Sequence, residues 1–219
     1  MIRVKVCGIT RLEDALLAVN LGAYALGFIF YPPSPRFISP PQARVICQAL
    51  PPFVAKVGVF VDEDPYRIRE IKRFVGLDLV QLHGQEPPEV VQQFSPYVIK
   101  AFRVRKEEDL APIPLYKGKV CAILLDTYVQ GQPGGTGQRF DWSLALRAKG
   151  YGLPLILAGG LDPGCAPRAW EEVRPYALDV NSGVEIFPGK KSPILLRRLF
   201  QELQGLMSKL SLDRCFPTR

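Results

Sequence analysis

One complete strand–helix–strand unit is contained in PLILAGGLDPGCAPRAWEEVRPYALDVNSG, residues 154–183. The apolar runs Pro154–Ala158 and Ala177–Asn181 are typical of buried strands. Between them, Ala166–Val173 has helical spacing and follows the turn Asp162-Pro163-Gly164. Two strands joined through a helix lie parallel in one sheet. This stretch therefore predicts an α/β protein built on a parallel sheet.

The same unit repeats along the chain. Six further strands are predicted at Arg3–Cys7, Tyr24–Phe30, Ala55–Val61, Leu77–His83, Tyr97–Arg103 and Val120–Asp126. Seven further helices are predicted at Leu12–Asn20, Pro41–Leu50, Tyr66–Val75, Pro88–Phe94, Glu107–Leu115, Asp141–Lys149 and Ser192–Leu210. Pro112 and Pro114 weaken the helix that contains them, and Asp141 is a candidate N-cap.

Eight such units predict a closed (β/α)8 barrel, a TIM barrel, which takes about 250 residues and sometimes nearer 200. An open doubly wound sheet is the alternative. That fold usually has a G-x-G-x-x-G turn after the first strand, whereas this chain has Cys7-Gly8-Ile9-Thr10. We therefore predict a single-domain barrel over residues 1–210, followed by a C-terminal tail at residues 211–219.

Composition excludes several classes of protein. The chain of 219 residues has a formal charge of +7 and a single His, so a zinc site with two or three His ligands cannot be built and no metal is predicted. Residues 190–219 contain seven basic and two acidic residues, which is typical of a solvated helix face and tail. No basic stripe with interleaved aromatic residues occurs elsewhere, so no nucleic-acid partner is predicted.

The cysteine pattern and the apolar runs indicate where the protein works. The five cysteines are odd in number, far apart in sequence and without a Cys-x-x-Cys motif, which predicts no disulfide framework. No apolar run reaches the length of a membrane span and no signal-peptide core is evident, so no membrane contact is predicted. We expect a reducing, cytoplasmic compartment.

A barrel places catalytic groups at the carboxyl ends of its strands. Cys7 ends the first strand and Asp126 the sixth, so the pair is suited to acid–base chemistry, although a buried thiol and a turn carboxylate are the plainer interpretations. If Cys7 faces inward, Lys5 does too, because alternate residues of a strand share a face. An inward Lys needs a carboxylate, and Asp179 on the neighbouring eighth strand can supply one. We expect the Lys5 charge to favour the Cys7 thiolate.

Glycine-rich turns predict a phosphorylated small-molecule substrate. Gly159-Gly160 follows the seventh strand and Ser182-Gly183 the eighth, where barrels commonly bind phosphate through backbone N–H groups. A third glycine cluster, residues 134–137, follows the sixth strand. Arg36, fixed between prolines and Phe37, is a candidate for a substrate carboxylate, or a surface charge. His83 is a strand-end residue for which a Cys7–His83 dyad is conceivable, but no third orienting group is evident.

Eight motifs resemble, in order over residues 4–189, the phosphoribosylanthranilate isomerase family of tryptophan biosynthesis. They are Val6-Cys7-Gly8-Ile9-Thr10, Ser34-Pro35-Arg36, Val57-Gly58-Val59-Phe60, Gln81-Leu82-His83-Gly84, Leu124-Leu125-Asp126, Gly134-Gly135-Thr136-Gly137 with Phe140-Asp141-Trp142, Leu157-Ala158-Gly159-Gly160-Leu161 and Asp179-Val180-Asn181-Ser182-Gly183-Val184-Glu185. One departure is Ser192 after Lys191, where the family often has Asp. Residues 211–219 have no counterpart.

The resemblance implies a barrel that performs an Amadori rearrangement without a cofactor. It implies Asp126 as general acid, Cys7 as general base and Arg36 as the ligand of the anthranilate carboxylate. It also implies that Gly159, Gly160, Ser182 and Gly183 bind the ribose phosphate, with Asp179 and His83 as supporting or substrate-contacting residues. The sequence leaves open whether the chain is a monomer or a homodimer.

Two other functions are weighed against this one. The isomerase of histidine biosynthesis performs the same rearrangement, but it uses two Asp residues, and a Cys at the end of the first strand argues against it. A basic binding protein on a barrel scaffold would need neither Cys7 nor Asp126.

Overall fold

Eight parallel strands close into a barrel in the computed structural model, which describes residues 2–126 and 142–215, with side chains through Lys209. The strands β1 to β8 are Val4–Val6, Ala25–Ile29, Ala55–Phe60, Leu79–Leu82, Val98–Arg103, Ala122–Asp126, Leu155–Leu157 and Ala177–Val180. Each strand pairs with the next in sequence, and β8 returns to β1 with Lys5 beside Asp179. The predicted barrel is confirmed, with strand ends within two residues of prediction, and the open sheet is wrong.

Helices surround the barrel in the predicted order. The helices α1 to α7 are Leu12–Asn20, Pro40–Gln48, Pro65–Val75, Pro88–Gln92, Trp142–Lys149, Ala166–Val173 and Pro193–Cys215. The helix α7 is longer than predicted and ends at Cys215 rather than Leu210. The division into a barrel and a tail stays a prediction, and the N-cap proposed at Asp141 lies outside the described residues.

The prediction of one helix over Glu107–Leu115 is wrong. Two short 3₁₀ helices, Glu107–Leu110 and Ile113–Tyr116, stand there instead. Pro112 and Pro114 have no backbone N–H to donate to an earlier carbonyl, so the α-helical ladder cannot cross them.

A short hairpin after β8 was not predicted. A 3₁₀ turn, Ser182–Val184, leads into β9, Glu185–Phe187, which pairs antiparallel with β10, Lys190–Lys191. Two strands this short give no readable alternation. The hairpin places two charged residues, Glu185 and Lys191, at the carboxyl-end side of the barrel.

The hydrophobic core has two layers. The larger layer lies between strands and helices and includes the α7 residues Leu199, Leu203 and Leu206, whose spacing puts them on one face of the helix. The smaller layer lies inside the barrel and is formed by Val57, Ile99, Ala101, Ala122, Leu124, Ile156, Ala158 and Ala177. Because polar residues follow these positions on the same strand faces, the functional groups lie directly above an apolar floor.

Candidate active site

The thiol of Cys7 lies at the end of β1, beside Gly27 of β2. It has room there because Gly27 has no side chain. Cys7 is 5% exposed, and its backbone N–H donates to Val180 O at 2.8 Å. A Cβ atom on Gly27 of β2 would lie 2.7 Å from Cys7 Sγ and 3.2 Å from Lys5 Cε. Any side chain at position 27 would therefore displace the thiol.

Lys5 and Asp179 form the buried ion pair that the sequence predicts. Lys5 Nζ lies 2.9 Å from both Asp179 carboxylate oxygens, and both side chains are less than a tenth exposed. Burial lowers the pKa of Lys5, but the Asp179 carboxylate and the Cys7 thiol outweigh it, so the pKa of Lys5 is raised. Barrel closure is what brings these residues, near the two ends of the chain, into contact.

Lys5 favours the Cys7 thiolate, as the sequence predicts, but burial outweighs it and the pKa of Cys7 is raised overall. Burial raises the pKa of the Cys7 thiol above its ordinary value, Lys5 opposes this, and Asp179 adds to the rise. Lys5 thus acts in the predicted sense but is outweighed by burial, since its charge is already neutralised by a carboxylate.

Asp126 is linked to the fourth strand through His83. Asp126 Oδ2 lies 3.2 Å from His83 Nε2, and Gln81 Nε2 lies 3.0 Å from His83 Nδ1. Gln81 and His83 share the inward face because they are two residues apart on β4. Both ring nitrogens of His83 are therefore engaged by these two residues, and the alternative of a Cys7–His83 dyad is not formed.

Arg36 is held by a carboxylate that sequence reasoning did not single out. The guanidinium contacts both oxygens of Glu185, at 3.0 Å from Nε and 2.7 Å from Nη2. Glu185 also accepts from Lys191 Nζ at 2.9 Å. A signal was present in the sequence, because Glu185 closes the last matched motif and Lys191 follows shortly after it. The functional pairing was missed because both lie on the unpredicted hairpin.

The turns after β7 and β8 both contain glycines that no other residue could replace without strain or collision. Gly159 and Gly160 have φ angles of +89° and +64°, in the left-handed region that favours glycine. A Cβ on Gly183 would collide with the carbonyl oxygen of Leu161, so glycine is required for the two turns to approach each other. The glycine cluster at residues 134–137 lies outside the described residues.

Neither a metal cluster nor a membrane span is found in the described parts of the chain. Within residues 2–126 and 142–209, no three His, Cys, Asp or Glu side chains are grouped so that they could hold a metal ion. The described helices include none that is long and apolar enough to cross a membrane.

Comparisons with known proteins agree on one family. The model of N-(5'-phosphoribosyl)anthranilate isomerase matches residues 4–202. A protein of this name from Geobacter sp. strain M21 is 52% identical over 206 residues, which cover 94% of this chain and all of the relative.

Solved structures give the same result. The crystal structure of phosphoribosyl anthranilate isomerase from Thermotoga maritima is 47% identical, with a TM-score of 0.88 over 94% of this chain and all of the other. A phosphoribosyl anthranilate isomerase in complex with reduced 1-(o-carboxyphenylamino)-1-deoxyribulose 5-phosphate is 46% identical, with a TM-score of 0.84 over the same shares.

Proposed function

The chain belongs to the N-(5'-phosphoribosyl)anthranilate isomerase family, and we propose that Cys7 and Asp126 carry out the proton transfers of its reaction. It is an isomerase of tryptophan biosynthesis that performs an Amadori rearrangement. The substrate N-(5-phosphoribosyl)anthranilate becomes the ketose 1-(2-carboxyphenylamino)-1-deoxyribulose 5-phosphate. The family match also removes the support for a histidine-pathway isomerase and for a basic binding protein.

The base role of Cys7 and the acid role of Asp126 are supported by one observation, which is that both residues lie near the Asp179 carboxylate. Both residues lie close enough to Asp179 for its charge to interact with theirs. They reach this position from β1 and β6, so they approach the barrel mouth from different sides. A substrate bound above the apolar floor can therefore meet a thiol and a carboxyl group at the same time.

The steps follow from the chemistry of the two groups. Asp126 donates a proton to the ribose ring oxygen, the bond from that oxygen to the anomeric carbon breaks, and a Schiff base forms. The Cys7 thiolate then removes the proton from C2', which gives an enolamine that tautomerises to the ketose. No atoms are gained or lost, so an acid and a base are sufficient for the reaction.

Substrate binding is assigned to the groups around this pair. Arg36 binds the anthranilate carboxylate through the edge of its guanidinium that Glu185 does not occupy. Gly159, Gly160, Ser182 and Gly183 bind the phosphate, in keeping with the positive φ angles of the first two. His83 contacts the substrate beside Asp126. Asp179 has a supporting role, because both of its oxygens accept from Lys5.

The test is the decay of substrate fluorescence catalysed by Cys7→Ser and Asp126→Asn. Removal of a general acid or base lowers the rate by about 10²–10⁴-fold, and we expect losses of this order for each variant. Gln85→Ala, an exposed substitution on the loop after β4, is the control for handling and folding. Normal turnover in both variants would overturn the assignment.

A second copy of the chain is the proposed protein partner. A relative from Thermotoga maritima is described as a dimeric enzyme. On this chain the Phe53 side chain is 97% exposed, in the connection between α2 and β3. Light scattering should therefore find a dimer, and Phe53→Glu should convert it into a monomer by placing a charge in an apolar contact. A wild-type protein that is monomeric at micromolar concentration would contradict this.

The cytoplasm is the proposed location. Cys7, Cys47, Cys121 and Cys165 are all free thiols, as a reducing compartment maintains them. Fractionation of cells that express the chain tests this, and recovery outside the cytoplasm would contradict it.

A further inference from the structure

Lys5 favours the Cys7 thiolate, but Asp179 beside it acts in the opposite sense and weakens that effect. Lys5 Nζ lies 2.9 Å from both Asp179 oxygens, so the pair as a whole is neutral. Opposite charges this close largely cancel at a third group. Because burial disfavours the thiolate, another cation has to act on Cys7.

Lys191 is a second buried cation, and it lies on the hairpin strand β10. Its side chain is fully buried, and Nζ donates to Asn181 Oδ1 at 2.9 Å, Asn181 O at 3.3 Å and Glu185 Oε1 at 2.9 Å. An ammonium group has three hydrogens, and here it has three acceptors. Burial lowers the pKa of Lys191, while the Glu185 carboxylate favours its charged form.

Asn181 places the Lys191 ammonium against the turn that begins at Cys7. The Cys7 N–H donates to Val180 O, the residue before Asn181, at 2.8 Å. Asn181 Oδ1, which Lys191 contacts, would lie 2.6 Å from a Cβ on Gly8. In agreement with this geometry, burial raises the pKa of Cys7 while the Lys191 charge acts to lower it.

Among the side chains in contact through the Lys191 ammonium and the Arg36 guanidinium there is one positive charge in excess, whereas the buried Asp14 carboxylate on α1 accepts from the Lys191 backbone N–H at 2.9 Å. Glu185 is the single carboxylate that Arg36 and Lys191 share, with Arg36 Nη2 at 2.7 Å and Lys191 Nζ at 2.9 Å. The charged groups that act on Cys7 are Lys5 on β1, Asp179 on β8 and Lys191 on β10. The charged and titratable groups behind them are Asp126 and His83 beside Asp179, and Arg36, Glu185 and Asp14 beside Lys191. In its proposed role as acid, Asp126 begins the reaction protonated and adds no charge.

We propose that the Arg36–Glu185–Lys191 cluster favours the Cys7 thiolate against the effect of burial, with Lys191 as the positioning residue that brings the excess charge to it. This rests on the proposed role of Cys7 as the base. When Cys7 releases its proton to solvent, three cations then face two carboxylates and one thiolate, so the group as a whole has no net charge. Lys191 itself stays protonated and does not contact the reacting atoms.

The test is the pH dependence of Cys7 alkylation by iodoacetamide, measured by mass spectrometry of the Cys7 peptide in the full chain. In Lys191→Met the cluster loses its excess charge, so the midpoint should rise by about one pH unit and alkylation at pH 7 should slow about tenfold. In Glu185→Gln the cluster gains one positive charge, so the midpoint should fall and alkylation at pH 7 should accelerate about tenfold.

The opposite signs separate an electrostatic role from a structural one. Both variants break the same contact between Lys191 and Glu185, so loosening alone would move both midpoints in one direction. Lys190→Met, the neighbouring charge on the hairpin, should leave the midpoint unchanged. Equal midpoints in wild type and Glu185→Gln overturn the proposal even if Lys191→Met does not fold. A wild-type Cys7 that stays unalkylated up to high pH also overturns it.

Failure of this inference is distinguishable from failure of the proposed function. Full turnover by Cys7→Ser would remove the base role of Cys7 but would leave the alkylation midpoints as they are. Unchanged midpoints with an inactive Cys7→Ser would instead retain the base and remove the role of Lys191.

Discussion

Two of the buried lysine–carboxylate pairs in the described part of the chain, Lys5–Asp179 and Lys100–Glu86, differ in that only the first borders Cys7. Lys5 and Asp179 are 2.9 Å apart, Lys100 and Glu86 are 3.0 Å apart, and all four side chains are less than a tenth exposed. In each case burial acts to lower the pKa of the lysine. The net directions nevertheless differ, since the pKa of Lys5 is raised and that of Lys100 is lowered.

The pKa of Lys100 is lowered by its burial and by the nearby Arg103 charge. The two pairs also differ in the third group that each ammonium meets. Lys5 points into the barrel, where the Cys7 thiol is its other partner. Lys100 is in register with Leu82, whose side chain belongs to the outer core layer. The Nζ atom of Lys100 donates to the carbonyl oxygens of Leu82, Gly84 and Ala101. Glu86 in turn accepts from the backbone N–H groups of Asp62 and Gly84.

This comparison shows that a buried ion pair is not by itself a sign of catalysis. Lys100 and Glu86 fasten the loop after β4 to the barrel wall, and the carbonyl groups around Lys100 have no proton to exchange. Lys5 and Asp179 border a thiol that does. The chemical nature of the next neighbour decides which pair can influence a reaction.

The largest expected effect comes from removing each lysine in turn. Either Lys5→Met or Lys100→Met leaves a buried carboxylate unpaired, which costs about 3–5 kcal/mol of unfolding free energy. Only Lys5→Met also removes a cation from Cys7 and leaves the Asp179 charge beside it. We expect kcat of the folded enzyme to fall on the order of 10²-fold for Lys5→Met and to stay close to wild type for Lys100→Met.

Urea unfolding and initial rates on the same samples measure the two quantities separately. Equal losses of kcat in the two variants would show that the pairs differ in location only. That result would remove the distinction between a pair that acts on the reaction and a pair that holds a loop.

Sequence periodicity was sufficient for the barrel because each strand and helix has a local pattern. It was also sufficient for the Lys5–Asp179 pair, because closing eight units puts the first strand beside the last. No comparable rule predicts the other charged contacts from the sequence. Arg36 and Glu185 are 149 residues apart, and their contact depends on a hairpin too short to show alternation.

The two corrections to the sequence-based predictions have physical causes of the same kind. The helix over Glu107–Leu115 was wrong because two prolines outweigh the local helical pattern. Lys5 does favour the Cys7 thiolate, but the larger opposing effect of burial was missed, because desolvation is not measured by a pattern of residues. Both outcomes depend on energies that compete with the pattern rather than on the pattern itself.

An intermediate effect is expected from adding a methyl side chain at two glycines on neighbouring strands. Gly27 of β2 faces the inside of the barrel, and Gly58 of β3 faces its outer side. A Cβ on Gly27 would lie 2.7 Å from Cys7 Sγ, and one on Gly58 would lie 2.5 Å from Leu77 Cδ1. Both Gly27→Ala and Gly58→Ala overpack their sites, at a cost of about 1–3 kcal/mol in unfolding free energy.

Only Gly27→Ala displaces the proposed base, so we expect kcat to fall about tenfold for Gly27→Ala and to stay near wild type for Gly58→Ala. Thermal unfolding checks that the two variants are matched in stability, and steady-state rates measure kcat. A larger loss of kcat in Gly58→Ala would mean that the outer layer, and not the inward face, controls the position of Cys7.

The smallest expected effect is an opposite dependence of stability on alkaline pH for the two pairs. The folded pKa of Lys5 lies above the ordinary 10.5, so its stabilising contribution is complete below that pH and is lost as the pH rises through the folded value. The folded pKa of Lys100 lies below 10.5, so between its folded value and 10.5 the unfolded chain holds more protons and the contribution of Lys100 increases with pH.

Urea unfolding of wild type, Lys5→Met and Lys100→Met between about pH 8 and 11 gives these contributions as differences from wild type. The free-energy difference between wild type and Lys5→Met should shrink toward the upper end, while that between wild type and Lys100→Met should grow toward 10.5, each by about 1 kcal/mol per pH unit. Two slopes of the same sign would contradict the opposite pKa directions of the two lysines.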